Sequence, residues 1–450
     1  MTKKMNYKNK KVLILGLGLN QGGVGSACFF AKNGAKVLVT DIKTETELAP
    51  SLKKLKDFTN ITYHLNGHKE EDIDWADLII KNIAIKPGNK YIEYAKSKSK
   101  QIETDIGIFL QIVNPMQIIG ITGTKGKTTT ASLLYYALKE DPRLRGDDGG
   151  VVLAGNIGKS VLDALDQITP QTHVILEISS FQLQTFDEKK ISPHIAVITN
   201  IMPDHLNYHR DMEEYIQAKR VIAKHQTQDD FLFINKDDPT ITSEEFLKDL
   251  KANIDLISAD DLPRDFKPTL IGKHNLISYR TALAVSKVLG IPGDEALNNM
   301  NQFKGADYRL QKIYEKDGIR IINDSASTNP EAGIAALKTY PNSILIAGGM
   351  NKGLEYQQFS KAIDEYAKEV YFLEGDVAEE IINNLEDLKS KILNHKPLYQ
   401  DLAHLLEDLK SQIKSGDIIL FSPGATSFNL FQNEFDRGKK FNEAVKKVFN

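Results

Sequence analysis

A short glycine-containing loop has the residue types that best fit the binding of a polyphosphate. The loop and the residues that follow it are Gly123, Thr124, Lys125, Gly126, Lys127, Thr128 and Thr129. Backbone N–H groups of such a loop surround phosphate oxygens, Lys127 adds a positive charge, and the Thr128 hydroxyl can bind Mg²⁺. We therefore predict that these residues bind ATP together with magnesium.

The residues on either side of this loop predict the elements that hold it. Residues 118–121 are apolar enough for a buried strand, and residues 131–134 open an apolar helix. In a strand–loop–helix arrangement the positive end of the helix dipole points at the bound phosphate. The alternative, a glycine-rich turn with a surface lysine, does not require such flanking elements and is disfavoured.

Two other regions carry side chains that could take part in chemistry. Glu177 ends the apolar run 174–176, and ligands of open α/β sheets bind beyond the carboxyl ends of strands, so its carboxylate can reach the nucleotide's metal. On these residues alone, a surface glutamate remains an alternative. His205 and His209 have i,i+4 spacing, but no glutamate follows His205 as the zinc-protease pattern H-E-x-x-H requires, so that class is excluded.

The bulk composition limits the possible classes of protein. The chain has 450 residues, enough for about three domains, and 41% of them are hydrophobic and 26% charged. A net charge of −3 gives no indication of a nucleic-acid or membrane partner. The single cysteine, Cys28, excludes an intramolecular disulfide and fits a reducing compartment. We expect a cytoplasmic protein without nucleic-acid or membrane partners.

Strand patterns alternate with helical patterns along most of the chain, which predicts α/β architecture with largely parallel sheets. We predict three domains: a Rossmann-like domain over residues 1–105, a central ATP-binding domain over 106–304, and a C-terminal domain over 305–450. In the first domain Asp41 ends the second strand, where it can contact a ribose or base. Gln21 replaces the third glycine of G-x-G-x-x-G, so a dehydrogenase is the weakest alternative.

The loop also resembles a known family. The general pattern G-x-x-x-x-G-K-[ST] requires glycine where this chain has Ile121, whereas the tighter form G-T-x-G-K-T-T is typical of the Mur ligase and folylpolyglutamate synthase superfamily. Residues 176–183 (LEISSFQL) resemble the branch of the Mur ligases that adds D-glutamate to UDP-N-acetylmuramoyl-L-alanine. Residues 200–206 resemble N-x-x-x-D-H-L, and residues 215–219 resemble Y-x-x-A-K. The resemblance continues through all three regions in the same order.

This resemblance implies an α/β protein of three domains, with Rossmann-like terminal domains and a central domain like that of P-loop ATPases. It also implies a cytoplasmic ATP-dependent amide ligase of peptidoglycan synthesis that works through an acyl phosphate. ATP and Mg²⁺ are the implied cofactors, and Lys219 is expected to be carbamylated. UDP-N-acetylmuramoyl-L-alanine and D-glutamate are the implied substrates, and we expect a monomer.

The resemblance assigns roles to individual residues. The implied catalytic residues are Lys127, Glu177, His205 and Lys219, and the implied metal ligands are Thr128, Glu177, His205 and Lys219. ATP binding is implied for Gly123, Thr124, Lys125, Gly126, Lys127, Thr128, Thr129, Asn275, Arg309 and Asp324. Substrate binding is implied for Asp41, Asn156, Ser179, Gln182, Thr328, Lys352, Ser427 and Phe428.

Several positions depart from the family pattern. Ala326 stands where the family has lysine in D-S-K-A-T, and Ser278 replaces the second asparagine of H-N-x-x-N. The ATP-binding motifs are intact, so the reaction type is better determined than the amino acid that is added. A related ligase that adds another amino acid, or a folylpolyglutamate synthase, remains an alternative. A non-catalytic nucleotide-binding scaffold is disfavoured because none of the implied catalytic residues is missing.

Overall fold

A computed structural model gives the architecture of the chain. It describes residues 6–19, 21–86, 88–144, 149–157, 160–204, 208–270, 272–351, 353–392, 397–427 and 430–449. The chain divides into two compact units. The first unit contains residues 1–269 and 273–303, and the C-terminal unit contains residues 270–272 and 304–450. Within the described residues, no helix is both long and apolar enough to span a bilayer.

The first sheet is parallel and has the strand order β3-β2-β1-β4-β5. Its strands are β1 (Lys11–Leu15), β2 (Lys36–Thr40), β3 (Ile61–His64), β4 (Leu78–Lys81) and β5 (Gln101–Glu103). Its helices are α1 (Gln21–Lys32), α2 (Glu45–Leu55), α3 (Glu70–Trp75) and α4 (Lys90–Ser97). This strand order, with helical crossovers, is that of a Rossmann-like half and confirms the predicted fold class.

The central sheet is also parallel, with the order β11-β10-β9-β6-β8-β7. Its strands are β6 (Ile118–Thr122), β7 (Gly149–Gly155), β8 (Gln171–Glu177), β9 (Ile195–Ile198), β10 (Phe231–Asn235) and β11 (Asn253–Ile257). The helices are α5 (Asp105–Ile112), α6 (Lys127–Lys139), α7 (Ser180–Lys189), α8 (Met212–Lys224), α9 (Glu244–Leu247), α10 (Lys273–Val288) and α11 (Gly293–Met300). Short 3₁₀ helices span Pro115–Gln117, Pro142–Leu144, Val161–Gln167 and Ala259–Asp261.

The third sheet, in the C-terminal unit, has the order β12-β13-β16-β14-β15. Its strands are β12 (Gln311–Lys316), β13 (Ile319–Asn323), β14 (Ser343–Gly348), β15 (Ala367–Leu373) and β16 (Ile418–Phe421). The helices are α12 (Pro330–Thr339), α13 (Gln357–Tyr366), α14 (Asp376–Asp387), α15 (Leu402–Lys410) and α16 (Glu434–Phe449). The edge strand β12 is antiparallel to β13, and the other described pairs are parallel.

The first two sheets share one hydrophobic core. Ile14 and Val39 of the first sheet belong to the same cluster of buried side chains as Val174 and Leu176 of the central sheet. Phe109 of α5, which is fully buried, belongs to this cluster as well. The shared core explains why both sheets lie in one compact unit. The domain boundaries near residues 105 and 304 stay predictions.

Candidate active site

The predicted phosphate-binding loop lies between β6 and α6. Its backbone requires glycine at two places, since Gly123 has φ 145° and Gly126 has φ 85°. A Cβ atom on Gly123 would lie 1.9 Å from Oγ1 of Thr199. The helix begins at Lys127, earlier than the apolar run at residues 131–134 suggested, because the Thr130 N–H already donates to the Gly126 carbonyl at 2.9 Å. The Lys–Thr–Thr run therefore forms the first helical turn.

The loop is held in place from the neighbouring strand β9. Asn200, which follows β9, accepts a 2.9 Å bond from the Lys125 N–H at Oδ1 and donates to the Lys125 carbonyl at 2.9 Å. The Asn200 carbonyl accepts the Thr124 N–H at 2.9 Å, and Thr199 Oγ1 donates to the Lys125 carbonyl at 2.6 Å. Asn200 was not among the predicted site residues, although it is the asparagine of the N-x-x-x-D-H-L pattern and could have been found from it.

Glu177 lies where the sequence predicted, at the carboxyl end of β8. In the parallel pairing Glu177 lies opposite Ile121 of β6, which places its side chain near the loop. The glutamate is only 2% exposed, and its carboxylate accepts a 2.8 Å hydrogen bond from the Thr128 hydroxyl. The structure thus brings together two of the four predicted metal ligands, and both offer oxygen atoms.

Lys219 of α8 reaches the same loop. The side chain is 2% exposed, and its Nζ atom donates to the Gly123 carbonyl at 2.9 Å. Lys127 also donates to that carbonyl at 2.9 Å, and to the Thr124 carbonyl at 2.9 Å. Two amine-bearing side chains therefore converge on a single carbonyl oxygen.

The surroundings of Lys219 favour its neutral form. Burial holds the pKa of the Lys219 amine well below its usual range, and the charge of Lys127 lowers it further. The carboxylates of Asp204 and Glu177 oppose this shift. A neutral amine is a nucleophile, whereas an ammonium is not.

Tyr215 connects Lys219 to the loop. Its ring centre lies 4.7 Å from Lys219 Nζ, and its hydroxyl lies 3.2 Å from Thr124 Oγ1. Thr124 Oγ1 also donates to the Met202 carbonyl at 3.1 Å. Burial raises the pKa of Tyr215 to about 12, so this hydroxyl keeps its proton at neutral pH. Tyr215 is the tyrosine of Y-x-x-A-K, but its role in shaping the loop was not predicted.

Three predicted site residues, His205, Lys352 and Phe428, lie outside the described residues. The other histidine of the pair, His209, is 1% exposed, and its Nε2 atom lies 3.0 Å from Ser180 Oγ. Its ring stacks on Phe181 at 5.7 Å. His209 is thus packed against the beginning of α7.

The predicted substrate-binding residues of the first unit have structural contacts as well. Asp41 follows β2 and accepts the Gly18 N–H at 2.8 Å and the Lys43 N–H at 2.9 Å, so it shapes the first glycine loop. Asn156 follows β7, is exposed, and its N–H donates to the Glu177 carbonyl at 3.0 Å.

Ser179 and Gln182 form the capping box of α7. The Gln182 N–H donates to Ser179 Oγ at 3.3 Å, and the Ser179 N–H donates to Gln182 Oε1 at 2.9 Å. Contact of Ser179 and Gln182 with a substrate stays a prediction.

Among the ATP-binding residues predicted in other elements, Asn275 lies in the first turn of α10, and Arg309 lies in the C-terminal unit, where it is exposed. Asp324 follows β13 and is 7% exposed; it accepts the Ser422 hydroxyl at 2.7 Å and the Leu310 N–H at 3.1 Å. Burial raises the pKa of Asp324 to about 7, although these two hydrogen bonds oppose the shift.

Thr328 and Ser427, predicted to bind the substrate, also lie in the C-terminal unit. Thr328 is half-buried, and Ser427 is 2% exposed.

A buried arginine, which the sequence did not single out as a site residue, joins the loops after β13 and β16. The Arg437 side chain is 0% exposed and donates to Ser325 Oγ at 3.0 Å, to the Ser325 carbonyl at 2.7 Å and to the Ala425 carbonyl at 3.0 Å. Burial lowers the pKa of its guanidinium to about 10. These bonds fix the segments that precede Thr328 and Ser427.

Comparison with known proteins gives consistent results along the whole chain. Residues 121–265 match the family described as Mur ligase middle domain, and residues 308–424 match the family described as Mur ligase, glutamate ligase domain. The UDP-N-acetylmuramoylalanine--D-glutamate ligase of Borreliella burgdorferi is 38% identical, over 97% of this chain and 98% of that protein. The ligase of the same name from Roseiflexus sp. is 34% identical, over 98% of this chain and 99% of that protein.

The fold resembles that of a solved structure. The UDP-N-acetylmuramate-alanine ligase of Thermotoga maritima has a TM-score of 0.60 and 20% identity, covering 97% of this chain and 99% of that one. At this level of identity the likeness concerns the fold alone.

Proposed function

Because the chain belongs to the Mur ligase family, we propose that it joins D-glutamate to UDP-N-acetylmuramoyl-L-alanine at the expense of ATP, in peptidoglycan synthesis. The γ-phosphoryl group of ATP passes to the terminal carboxylate of the alanine residue, giving an acyl phosphate and ADP. The amine of D-glutamate then attacks the acyl carbon. The C–O bond to phosphate breaks, the nitrogen loses a proton, and inorganic phosphate leaves.

The observation that carries this proposal is the set of contacts around the Gly123 carbonyl. The amines of Lys127 and Lys219 both donate to it at 2.9 Å. The adjacent Thr128 hydroxyl and Glu177 carboxylate lie 2.8 Å apart. A nucleotide phosphate bound to the loop would compete with the carbonyls for the Lys127 amine. Phosphoryl transfer depends mainly on such positioned charges, because the reaction passes negative charge between oxygen atoms.

The same residues fit a magnesium ion. Mg²⁺ prefers oxygen ligands, and the site provides two: the Thr128 hydroxyl in the first turn of α6 and the Glu177 carboxylate at the end of β8. Among the described residues, no group of three His, Cys, Asp or Glu side chains is arranged to hold a metal. When bound, Mg²⁺ would neutralise charge on the phosphates. His205 is the further ligand that the family pattern implies.

Carbamylation of Lys219 would add a negatively charged oxygen donor to this site. The neutral Lys219 amine can attack the carbon of CO₂, forming an N–C bond and releasing one proton. The product is a carbamate whose oxygens suit a metal site. Its support here is the buried amine with a lowered pKa, 2.9 Å from the phosphate-binding loop.

The remaining assignments concern the two substrates. In the first unit, Asp41, Asn156, Ser179 and Gln182 are proposed contacts of the sugar nucleotide. In the C-terminal unit, Thr328, Lys352, Ser427 and Phe428 are proposed contacts of D-glutamate. Arg309 and Asp324 are proposed contacts of ATP, as is Asn275 of α10. We also propose that the enzyme acts in the cytoplasm as a monomer, where the half-buried thiol of Cys28 stays reduced.

The test is release of inorganic phosphate by the purified enzyme with ATP, Mg²⁺, UDP-N-acetylmuramoyl-L-alanine and a panel of D- and L-amino acids. We expect phosphate release and a coupled product with D-glutamate, and neither when ATP or the sugar nucleotide is omitted. A clear preference for another amino acid would overturn the substrate assignment while leaving the family intact. This outcome is a real alternative because Ala326 replaces the family lysine.

A further inference from the structure

Two serine hydroxyls in the C-terminal unit are buried without a hydrogen-bond partner. Ser327 and Ser427 are each 2% exposed, and the Oγ atom of each has no partner among the residues that the structure describes. A hydroxyl in this position has lost its contacts with water and gained none from the protein, which is unfavourable. A bound acceptor would remove this penalty.

Both serines lie at one edge of the third sheet. Ser327 comes shortly after β13 and Ser427 shortly after β16, and these two strands are parallel neighbours. Their carboxyl ends therefore meet at the same edge, which is where ligands of α/β sheets bind. The two hydroxyls thus come from adjacent loops at a ligand-binding edge.

The backbone around Ser327 is fixed. The Ser327 N–H donates to the Asp324 carbonyl at 2.9 Å, and the Ala326 N–H donates to the Tyr308 carbonyl at 2.9 Å. The buried Arg437 guanidinium holds Ser325 on one side and the Ala425 carbonyl on the other. A backbone that is held in this way fixes where the Ser327 side chain starts before the ligand arrives, which favours binding.

We propose that the Ser327 hydroxyl determines specificity by donating a hydrogen bond to a carboxylate oxygen of the amino-acid substrate. The proposal rests on the proposed function, since it assigns the acceptor to D-glutamate. D-Glutamate brings two carboxylates to a site that lacks the family lysine, because Ala326 occupies that position. The neighbouring Ser327 supplies a neutral donor in its place, alongside the previously proposed contact Ser427.

The test compares two serine-to-alanine variants of the full-length enzyme. Ser327→Ala removes the proposed donor. Ser343→Ala is the matched control, because Ser343 is also fully buried with an Oγ atom that lacks a partner among the described residues, but it begins β14 at the opposite end of the sheet. Each variant removes a buried hydroxyl without a partner, so we expect both to be at least as heat-stable as the wild type.

We expect Ser327→Ala to raise the KM for D-glutamate about 10-fold or more, the range for a hydrogen bond to a charged group. The KM for ATP should stay within about twofold, and Ser343→Ala should change neither constant. An unchanged KM for D-glutamate in Ser327→Ala, with an active wild type, would overturn this contact alone. An equal rise of the KM for D-glutamate in Ser343→Ala would also overturn the Ser327 contact, because it would show a general packing effect. A wild type that makes no product with D-glutamate would overturn both this contact and the proposed function.

Discussion

At the scale of single residues, the main feature is the approach of two lysines to one carbonyl oxygen. Lys127 and Lys219 each donate to the Gly123 carbonyl at 2.9 Å. Two ammonium groups so close together repel each other, and the more buried of the two loses its proton more easily. We therefore propose different roles for the two lysines: Lys127 provides charge for the phosphates, whereas burial favours the neutral form of the Lys219 amine.

The first prediction concerns Lys127→Ala. Ligation should fall by about 100-fold or more, because the variant removes a charge directed at the phosphates. Phosphate release and product formation measure the loss, and circular dichroism checks the fold. Lys139→Ala, at the other end of α6, is the control and should keep normal activity. Near wild-type ligation by Lys127→Ala would show that the loop is not the ATP site.

The second prediction concerns Lys219→Ala. If the residue is carbamylated, activity should fall by about 100-fold or more, and a short carboxylate added to the buffer should restore part of it by replacing the missing anion. The control is Lys224→Ala. Lys224 lies in the same helix with a side chain that is 47% exposed, so this variant should have wild-type activity. Mass spectrometry of the gently handled protein would detect the added CO₂ directly. Full activity of Lys219→Ala would rule out the modification as a requirement.

The third prediction is a pH dependence of stability that originates at Asp324. Its pKa is about 7 in the folded protein, whereas an unfolded aspartate releases its proton near pH 4. Between these values the folded state holds a proton that the unfolded state has lost. This contribution to stability is therefore full below about pH 4 and is lost as the pH rises to about 7. Asp324→Asn should remove it, so the melting temperature of the variant relative to wild type should increase from pH 5 to pH 8.

The control for this pH profile is Asp387→Asn, an exposed aspartate at the end of α14. Its melting temperature should follow the wild type at every pH. If the difference in melting temperature between Asp324→Asn and wild type were the same at every pH, Asp324 would not be the source of the pH dependence.

At the scale of elements, the predicted phosphate-binding loop between β6 and α6 is also held by residues that lie outside it, after β9 and in α8. Asn200 beyond β9 holds the backbone of Thr124 and Lys125. Tyr215 of α8 lies beside the Thr124 hydroxyl. The loop can therefore keep one conformation before ATP arrives, which lowers the entropy lost on binding.

The fourth prediction tests this construction with Gly123→Ala. A Cβ at this position would meet Thr199 Oγ1 at 1.9 Å on a backbone with φ 145°, so the loop must shift. We expect loss of ATP binding, measured by calorimetry, together with lower stability. Gly290→Ala is the matched control, because Gly290 also has a positive φ (79°) but nothing within 4 Å of the added Cβ. Gly290→Ala should lower the free energy of unfolding by only about 1–2 kcal/mol and leave ATP binding unchanged.

The sequence predicted the elements that form long apolar runs, and it predicted less well the contacts between them. β6 and β8 lie where the apolar runs at residues 118–121 and 174–176 indicated, because burial on both faces of a parallel strand leaves a clear pattern. The antiparallel edge strand β12 mixes polar and apolar residues that are exposed or half-buried, and the sequence did not predict it as a strand. The contact between Arg437 and Ser325 joins residues far apart in the chain, so no local pattern could reveal it.

At the scale of the whole molecule, the first unit joins two sheets through one core, whereas the C-terminal unit has cores of its own. The helix α5 belongs to the shared core through Phe109. Buried apolar surface is the main favourable term in folding, so sheets that share such surface unfold together.

The fifth prediction follows from this shared core. Phe109→Ala removes a fully buried ring and should lower the free energy of unfolding by about 3–5 kcal/mol. Fluorescence of Trp75, the only tryptophan in the chain, reports on the first sheet during denaturation. Its transition should shift to lower denaturant concentration in the variant. Phe435→Ala, at a 45% exposed side chain of the C-terminal unit, should leave the Trp75 transition in place and so serves as the control.

The shared core also has a consequence for synthesis on the ribosome. Val24 and Ala27 of α1 belong to the same buried cluster as Val161 and Leu162 of the 3₁₀ helix Val161–Gln167, and this helix contacts α1. The apolar face of α1 therefore cannot be fully covered until more than a third of the chain has been translated. At about 5–20 residues per second this delay is on the order of ten seconds or more. During that interval the nascent chain exposes apolar surface that can aggregate. We therefore expect it to depend on chaperones more than a protein whose N-terminal domain buries its own core.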